Sequence, residues 1–344
     1  MVSLMDERGD HEAADEPAHR WQVIERLRRR YEHSAATRPG SVVPREEYAA
    51  KNFTRKTERT VAEYLRELSD GVLVTSRPGL NILAARFAPR EVVRVGQEHM
   101  HLANHKAGIR KAIEAQYPHL DAITVLTCQD QSEYTQALGG TTRIARIPNG
   151  LHSLDQETST LDRRIVVAAG RLTRQKGFDL LVQAFAQVVE QHPDWQLRIY
   201  GSGQQREKLR TLIEERHLYN HVLLMGRSEQ LDEELTKASM YVLSSRFEGF
   251  GMVIIEAMAH GVPVVSFNCP HGPADIITDG RDGLLVPAQD VDGMAAGISK
   301  LIASESLRRD LGMAGLETAA RYSPEAVTPM WEQLFGELLA TKQA

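Results

Sequence analysis

Four side chains stand out for the chemistry their types and spacing allow. In SRFEGFGMVIIEAMAHGVPVV (245–265), Glu248 and Glu256 lie eight positions apart in an otherwise apolar, glycine-rich passage. Earlier, AGRLTRQKG (169–177) carries Arg171 and Lys176 on either side of a turn that follows Gly170. Two cations beside a helix N-terminus, with its orphan N–H groups and positive dipole end, suit a diphosphate. Gly249 and Gly251 around Phe250 would let a ligand approach the backbone of Phe250, Gly251 and Met252. Glu248 is expected in the loop. Glu256 is expected about two turns into a buried helix, among Val253, Ile254, Ile255 and Met258. A carboxylate there is costly unless it is paired or hydrogen-bonded. Eight helical residues span only ~12 Å, so both carboxylates can reach one elongated ligand.

Other groups are weaker. A glycosidase acid–nucleophile pair would need carboxyls ~5–10 Å apart flanking one bond, whereas here one is expected deep in the crevice. YGSGQQREKL (200–209) has a tight strand-to-helix turn without the GxGxxG spacing, and no acidic residue follows at the distance a nicotinamide dinucleotide site needs. VGQEHMHLANH (95–105) ends a strand with Glu98, His99, His101 and His105. The i, i+4 spacing of His101 and His105 suits a metal but is equally common among surface histidines. Arg77 in TSRPG (75–79) also ends a strand. A solvated turn or a satisfied loop histidine is the plainer reading of each group taken alone.

These residues must be held by an α/β frame. Helix TERTVAEYLRELSD is followed by strand GVLVTS (71–76), a helix starting NILAARF, strand EVVRVGQ (91–97), helix AGIRKAIEAQY and strand AITVLT (122–127). Helix QDQSEYTQAL and strand RIARIPN (143–149) complete the first half. Short apolar strands separated by helices imply a parallel sheet covered on both faces. The polar, aperiodic stretch 150–164 reads as an interdomain linker. Strands IVVAAG (165–170), WQLRIYG (195–201), HVLLMG (221–226), MYVLSS (240–245), PVVSFN (263–268) and GLLVP (283–287) then alternate with helices as a Rossmann-like domain. A separate helix closes the chain over SPEAVTPMWEQLFGELLATKQA (323–344).

The remaining features narrow the function classes. With 344 residues the chain is long enough for two domains. A formal net charge of −5 argues against a general nucleic-acid binder. The two cysteines, Cys128 and Cys269, form no CxxC motif, so neither a disulfide framework nor a zinc site is implied, and a cytoplasmic setting is the default. No apolar run reaches the ~18–20 residues that span a bilayer. Residues 1–45 are polar and aperiodic, and read as a poorly ordered or peripheral segment. Within it, WQVIERLRRRY (21–31) could form a basic helix that is either solvated or lies against an anionic membrane surface.

GRLTRQKG, then SRFEGFGMVIIEAMAHGVPVV, then GPADIITDGRDGLLVP (272–287) resemble a retaining glycosyltransferase of family 4, with its E-x7-E pair and GT-B fold of two Rossmann-like domains facing a cleft. The resemblance covers roughly 57–340 and implies an acceptor-side domain over 46–150, a donor domain over 151–323 and a helix, 324–344, crossing back to the first domain. It implies transfer of a hexose from a nucleotide diphosphate sugar to a sugar-containing or other hydroxyl acceptor, with no cofactor, metal or nucleic acid. Arg171 and Lys176 match the pair that neutralises the donor diphosphate. Glu256 matches the carboxylate on the donor ribose, and Glu248 the one facing the transferred sugar. Phe250, Gly251 and Met252 would meet sugar hydroxyls and phosphate. Gly170 belongs to the phosphate turn, Gly226 and Arg227 border the nucleobase, and His99 lies beside the reacting sugar. Family members open with a strand and a glycine-rich loop. Here four strands precede the linker and no such loop occurs in the first 60 residues, so the N-terminal domain is expected to be shortened. A catalytically silent nucleotide-sugar-binding protein and a sugar-nucleotide epimerase are the other readings of the same motifs.

Overall fold

The computed structural model describes residues 3–5, 40–47 and 52–343. The expected basic helix over 21–31 and most of the 1–45 segment lie outside the described residues. The chain divides into two compact units, Met1–Ile147 with Trp331–Ala344, and Pro148–Met330.

The first unit is built on a sheet ordered β1-β2-β3-β4-β5. Its strands are β1 (Ser3–Met5), β2 (Val72–Ser76), β3 (Val93–Gln97), β4 (Ala122–Val125) and β5 (Arg143–Arg146). β2 to β5 are parallel, while β1 adds antiparallel to β2 at the edge. Helices α1 (Arg55–Arg66), α2 (Pro78–Phe87), α3 (Ala107–Gln116) and α4 (Cys128–Ala137) alternate with the strands. All four residues of β4 are buried, as expected of a continuous apolar strand covered on both faces. The core gathers Leu73, Ile82, Leu83, Ile113, Tyr117, Ile123 and Tyr134.

Two short pieces before residue 48 are described, and both are tied to the first unit. Residues 3–5 pair in the sheet; three residues are too few to carry a readable alternation. The backbone at 41–43 is tied down by Glu58 in the first turn of α1, whose buried carboxylate accepts N–H bonds from Ser41 (2.7 Å), Val42 (3.0 Å) and Val43 (2.9 Å). Such a carboxylate can stay buried because backbone donors replace its water.

The second unit holds six parallel strands, β6 (Ile165–Ala169), β7 (Gln196–Tyr200), β8 (Val222–Gly226), β9 (Met240–Leu243), β10 (Val264–Asn268) and β11 (Leu284–Pro287). Their order is β11-β10-β9-β6-β7-β8, so the winding reverses between β6 and β9. At such a switch point the turns after the two central strands diverge and leave a crevice at their carboxyl ends. The helices are α5 (Phe178–Gln191), α6 (Arg206–Glu215), α7 (Leu231–Leu235), α8 (Met252–Ala259) and α9 (Pro273–Ile276), followed by α10 (Val291–Ala303), α11 (Glu305–Ala320) and α12 (Pro324–Gln343). Residues 288–323, which strand–helix alternation leaves unassigned, thus hold two helices. Each starts at a side-chain cap: Asp290 accepts from Gly293 N–H and Ser304 from Leu307 N–H.

The stretch 150–164 is not a free linker. The backbone N–H of Leu151 donates to Tyr322 O (2.7 Å), that of Ser159 to His260 O (2.8 Å), and the Ser159 hydroxyl to Ala238 O (2.6 Å). With Leu161 buried, the stretch packs as part of the second unit, and the division falls after Ile147. From Trp331 onward, the residues of α12 group with the first unit. There Lys342 sits 3.0 Å from Asp121, and Glu337 pairs with Arg143.

Candidate active site

The turns leaving β6 and β9 lie side by side at the switch point. After β6 the chain passes Gly170 and the exposed Arg171, makes a 3-10 turn over Arg174–Lys176, and enters α5 through Gly177. Gly177 has φ 62°, and a Cβ there would stand 2.0 Å from Ser244 O, so only glycine lets the two turns touch. After β9 the chain runs through Ser245 and Glu248 to Gly251, where α8 begins with no side chain capping its N–H groups. Lys176 Nζ reaches Glu248 Oε1 at 2.6 Å, and the Ser245 hydroxyl donates to the same oxygen. Tyr241, within β9, accepts from Ala169 N–H (3.2 Å) and donates to Ala169 O (3.1 Å), fixing the end of β6 against its neighbour. Burial pushes this phenol well above its ordinary value.

The two glutamates exchange the environments expected of them. Glu248 is buried and ion-paired, whereas Glu256 is half-buried. The cause is the direction of α8, whose buried side consists of Ile254, Ile255, Ala257 and Met258. At about 100° per residue Met252, Val253 and Glu256 fall on the other side. Among the described residues no hydrogen bond or ion pair reaches the Glu256 carboxylate. It opens instead on a cavity of about 210 Å³ lined with Gly150, His152, Gln156, Asp232, Met252 and His260. Partial burial raises the Glu256 carboxyl above its ordinary range; Asp232 adds to this, and His152, His260 and Lys176 oppose it. Buried His260 donates from Nδ1 to Glu157 O (2.7 Å), which leaves Nε2 facing Asp232 at 3.4 Å.

A second cavity, of about 310 Å³, opens at the ends of β6, β7 and β8. Gly170, Arg171, Tyr200, Gly201, Arg227 and Leu231 line it. Gly201, at φ 144°, lies so close to Gly170 O that a Cβ would stand 1.8 Å away, so the GSG turn lets β6 and β7 end in contact. Tyr200 donates to Glu234, which also takes Lys237 at 2.9 Å; burial and Glu234 push the phenol up to about 12. Gly226 ends β8, with exposed Arg227 next to it. Phe250 is buried against Tyr322, edge to face at 5.8 Å, so this residue can offer a ligand only its backbone.

Residues 153–318 match the family model for glycosyl transferases group 1. An exopolysaccharide phosphotransferase of Streptomyces coelicolor is 37% identical over 81% of this chain and 30% of its own length. The amylovoran biosynthesis glycosyltransferase AmsD of Erwinia amylovora is 30% identical over 77% of this chain and 77% of its own. The chain belongs to the group 1 glycosyltransferases. S. aureus TarM, solved with UDP, has a similar fold at TM-score 0.72 and 24% identity, over 81% of this chain and 59% of that one. The architecture of this group 1 glycosyltransferase is GT-B. The chain spans less than two thirds of the Streptomyces and TarM chains.

In the first unit of this glycosyltransferase, His99 and Arg77 are exposed at the carboxyl ends of β3 and β2. Protein packed around the imidazole lowers its pKa; Glu98 opposes this and Arg77 adds to it. Arg77 takes φ 82°, a conformation that costs a non-glycine residue about 1–3 kcal/mol. Glu98 turns inward, accepting from Asn81 at 2.8 Å and from the Tyr117 hydroxyl. His101 and His105 do not share a helical face: they flank a 3-10 turn, Leu102–Asn104. His101 Nδ1 lies 2.6 Å from Asp130, and His105 Nε2 lies 3.8 Å from Glu98.

Sequence reasoning missed Tyr241, Ser244, Ser245, Asp179, Arg246, Asp232 and His260. The signal available for Asp179 and Arg246 was opposite charge beside each motif, in KGFD and SRFEG. Tyr241 and Asp232 lie in a strand and a helix, Ser244 and Ser245 in the turn after β9 and His260 in the turn after α8, and their meaning comes only from long-range pairing.

Proposed function

We propose that this chain is a family 4 glycosyltransferase that transfers a hexose from a nucleoside diphosphate sugar to a hydroxyl-bearing acceptor with retention of configuration. The observation that carries the reading is the Lys176–Glu248 pair at the switch point, with exposed Arg171 on the same turn and Glu256 open to a cavity farther along α8. Lys176 is shared between Glu248 and the leaving diphosphate, and Arg171 supplies the second positive charge. The backbone of Phe250, Gly251 and Met252 at the start of α8 adds N–H donors. Preorganised charge of this kind stabilises a leaving diphosphate and is commonly the largest catalytic contribution. Glu256 accepts hydrogen bonds from the ribose hydroxyls, and the cavity beside Gly170, Gly226 and Arg227 takes the base. Glu248 faces the sugar. The bond from the sugar C1 to the diphosphate oxygen breaks, the acceptor oxygen bonds C1 on the same face, and its proton leaves on a phosphate oxygen.

UDP in the TarM structure makes uridine diphosphate sugars the first donors to try. The names of the Streptomyces and Erwinia relatives support an acceptor on the way to a cell-envelope polysaccharide. Such an acceptor would place the protein peripherally at the inner face of the membrane. Among the described residues no helix is long and apolar enough to cross one.

Assays of donor hydrolysis or transfer with UDP-, GDP- and ADP-sugars test the reading. Lys176→Ala should lower turnover about 100- to 1,000-fold, as removal of one preorganised donor does elsewhere. Glu256→Ala should weaken donor binding about ten- to a hundredfold, the value of hydrogen bonds to a charged group. Undiminished activity in either variant contradicts the assignment. Nucleotide binding without turnover on any acceptor would indicate a silent donor-binding protein, and isomerised sugar with donor alone an epimerase.

A further inference from the structure

We infer that Arg246 and Asp179 form a positioning pair that sets Lys176 for the diphosphate; the inference rests on the donor reading above. The Arg246 guanidinium meets the Asp179 carboxylate through two bonds, Nη1 to Oδ1 at 2.8 Å and Nη2 to Oδ2 at 2.7 Å. Nη1 also donates to Arg174 O at 2.8 Å, and the Arg246 backbone N–H donates to Gln175 O at 2.8 Å. Both carbonyls belong to the turn that ends in Lys176. The neighbouring residues repeat the stitching: Gln175 Nε2 donates to Phe247 O (3.1 Å) and the Ser244 hydroxyl to Lys176 O (2.9 Å).

Arg246 stands two residues before Glu248, and Asp179 three residues after Lys176. The pair therefore closes the far side of a ring whose near side is the Lys176–Glu248 ion pair. A planar fork fixes direction as well as distance, which a lysine at 246 would not do. The Arg246 side chain is 17% exposed and that of Asp179 45%, so the guanidinium is largely covered while the carboxylate keeps one side in water. Burial resists ionisation of Asp179, yet the hydrogen bonds and charge of Arg246 prevail and hold its carboxyl below the ordinary range. The pair is thus charged on both sides at neutral pH. Its function is to keep the Lys176 ammonium within reach of both Glu248 and a phosphate, where a shift of about 1 Å is costly.

Calorimetry with UDP and with uridine tests this. Wild type should bind UDP more tightly than uridine. Arg246→Ala should lose about ten- to thirtyfold in UDP affinity while holding uridine within twofold. Arg246→Lys should recover only part of the loss. Asp179→Asn, which keeps the side-chain shape, should reproduce the loss, and in a Lys176→Ala background Arg246→Ala should add no more than twofold. UDP binding by Arg246→Ala and Asp179→Asn within twofold of wild type overturns the inference, as does full additivity with Lys176→Ala or an equal loss of uridine. A wild type that binds none of UDP, GDP and ADP more tightly than the matching nucleoside contradicts the donor reading itself, a result distinguishable from those.

Discussion

Two clusters of ionisable side chains sit at the carboxyl ends of central strands, one in each unit, and they are completed differently. In the first unit Glu98 is buried with Asn81, Tyr117, His105 and Tyr134, and Thr75 donates to Asn81 Oδ1 at 2.8 Å. These groups meet inside the core. Glu98 Oε1 takes Asn81 and Tyr117, while Oε2 accepts no hydrogen bond among the described residues and lies 3.8 Å from His105. Tyr134 lies 3.4 Å from His105, and burial with Glu98 drives the phenols of Tyr117 and Tyr134 well above their ordinary values. In the second unit Lys176 and Glu248 are paired, but Arg171 and Glu256 stay open to cavities. The difference teaches that a carboxylate at a strand end is not in itself a site. A network enclosed among its own partners in the core specifies a fold, whereas one that opens on a cavity can take a ligand.

Exchanging damage between the two clusters is the sharpest way to break this comparison. Lys176→Ala should abolish most turnover, as above, and leaves Glu248 buried without its cation, a loss of about 3 kcal/mol in stability read by urea unfolding. Glu98→Ala should cost about 2–3 kcal/mol in the same measurement, because the Tyr117 hydroxyl and the Asn81 amide lose their acceptor. Unlike Lys176→Ala, it should leave UDP affinity unchanged at a temperature where the variant is folded. A Glu98 variant that is stable but has lost UDP would erase the distinction.

Gly177→Ala is the next smaller effect. The left-handed φ and the approach of Ser244 O predict about 1–3 kcal/mol of destabilisation, with weaker UDP binding because the turns separate. Wild-type melting and affinity in this variant would show that the turns are not in contact. The smallest effect concerns Glu256, whose folded pKa lies above the ordinary value of 4.5. The folded state then holds its proton more tightly than the unfolded chain, so stability falls as pH rises from about the ordinary value through the folded one. Glu256→Gln should therefore melt higher than wild type at pH 7, with the advantage fading below pH 4. A variant that melts lower at pH 7 would indicate a structural partner for this carboxylate.

Much of this was legible in the sequence because short apolar strands and glycine-punctuated turns are local signals. The ten strands from GVLVTS to GLLVP all form, and the switch-point turns carry Arg171, Lys176 and Glu248 as their motifs imply. β1 was not legible, since Ser3–Met5 is too short for a period. The environments of the two glutamates were inverted because an apolar neighbourhood in sequence does not say which side of an eight-residue helix faces the core. VIIEAM surrounds Glu256 with hydrophobic letters, yet Glu256 itself points away from them. Arg246 and Asp179 are separated by 66 intervening residues and meet only once β6 and β9 lie side by side.

Hydrogen–deuterium exchange with and without saturating UDP, GDP or ADP tests the contrast between the two clusters most directly. At least one nucleotide should slow exchange at 170–177 and at 249–254 in the second unit, with 98–105 in the first unchanged. Protection at 98–105 alone, or none at 170–177 with any nucleotide, would contradict it.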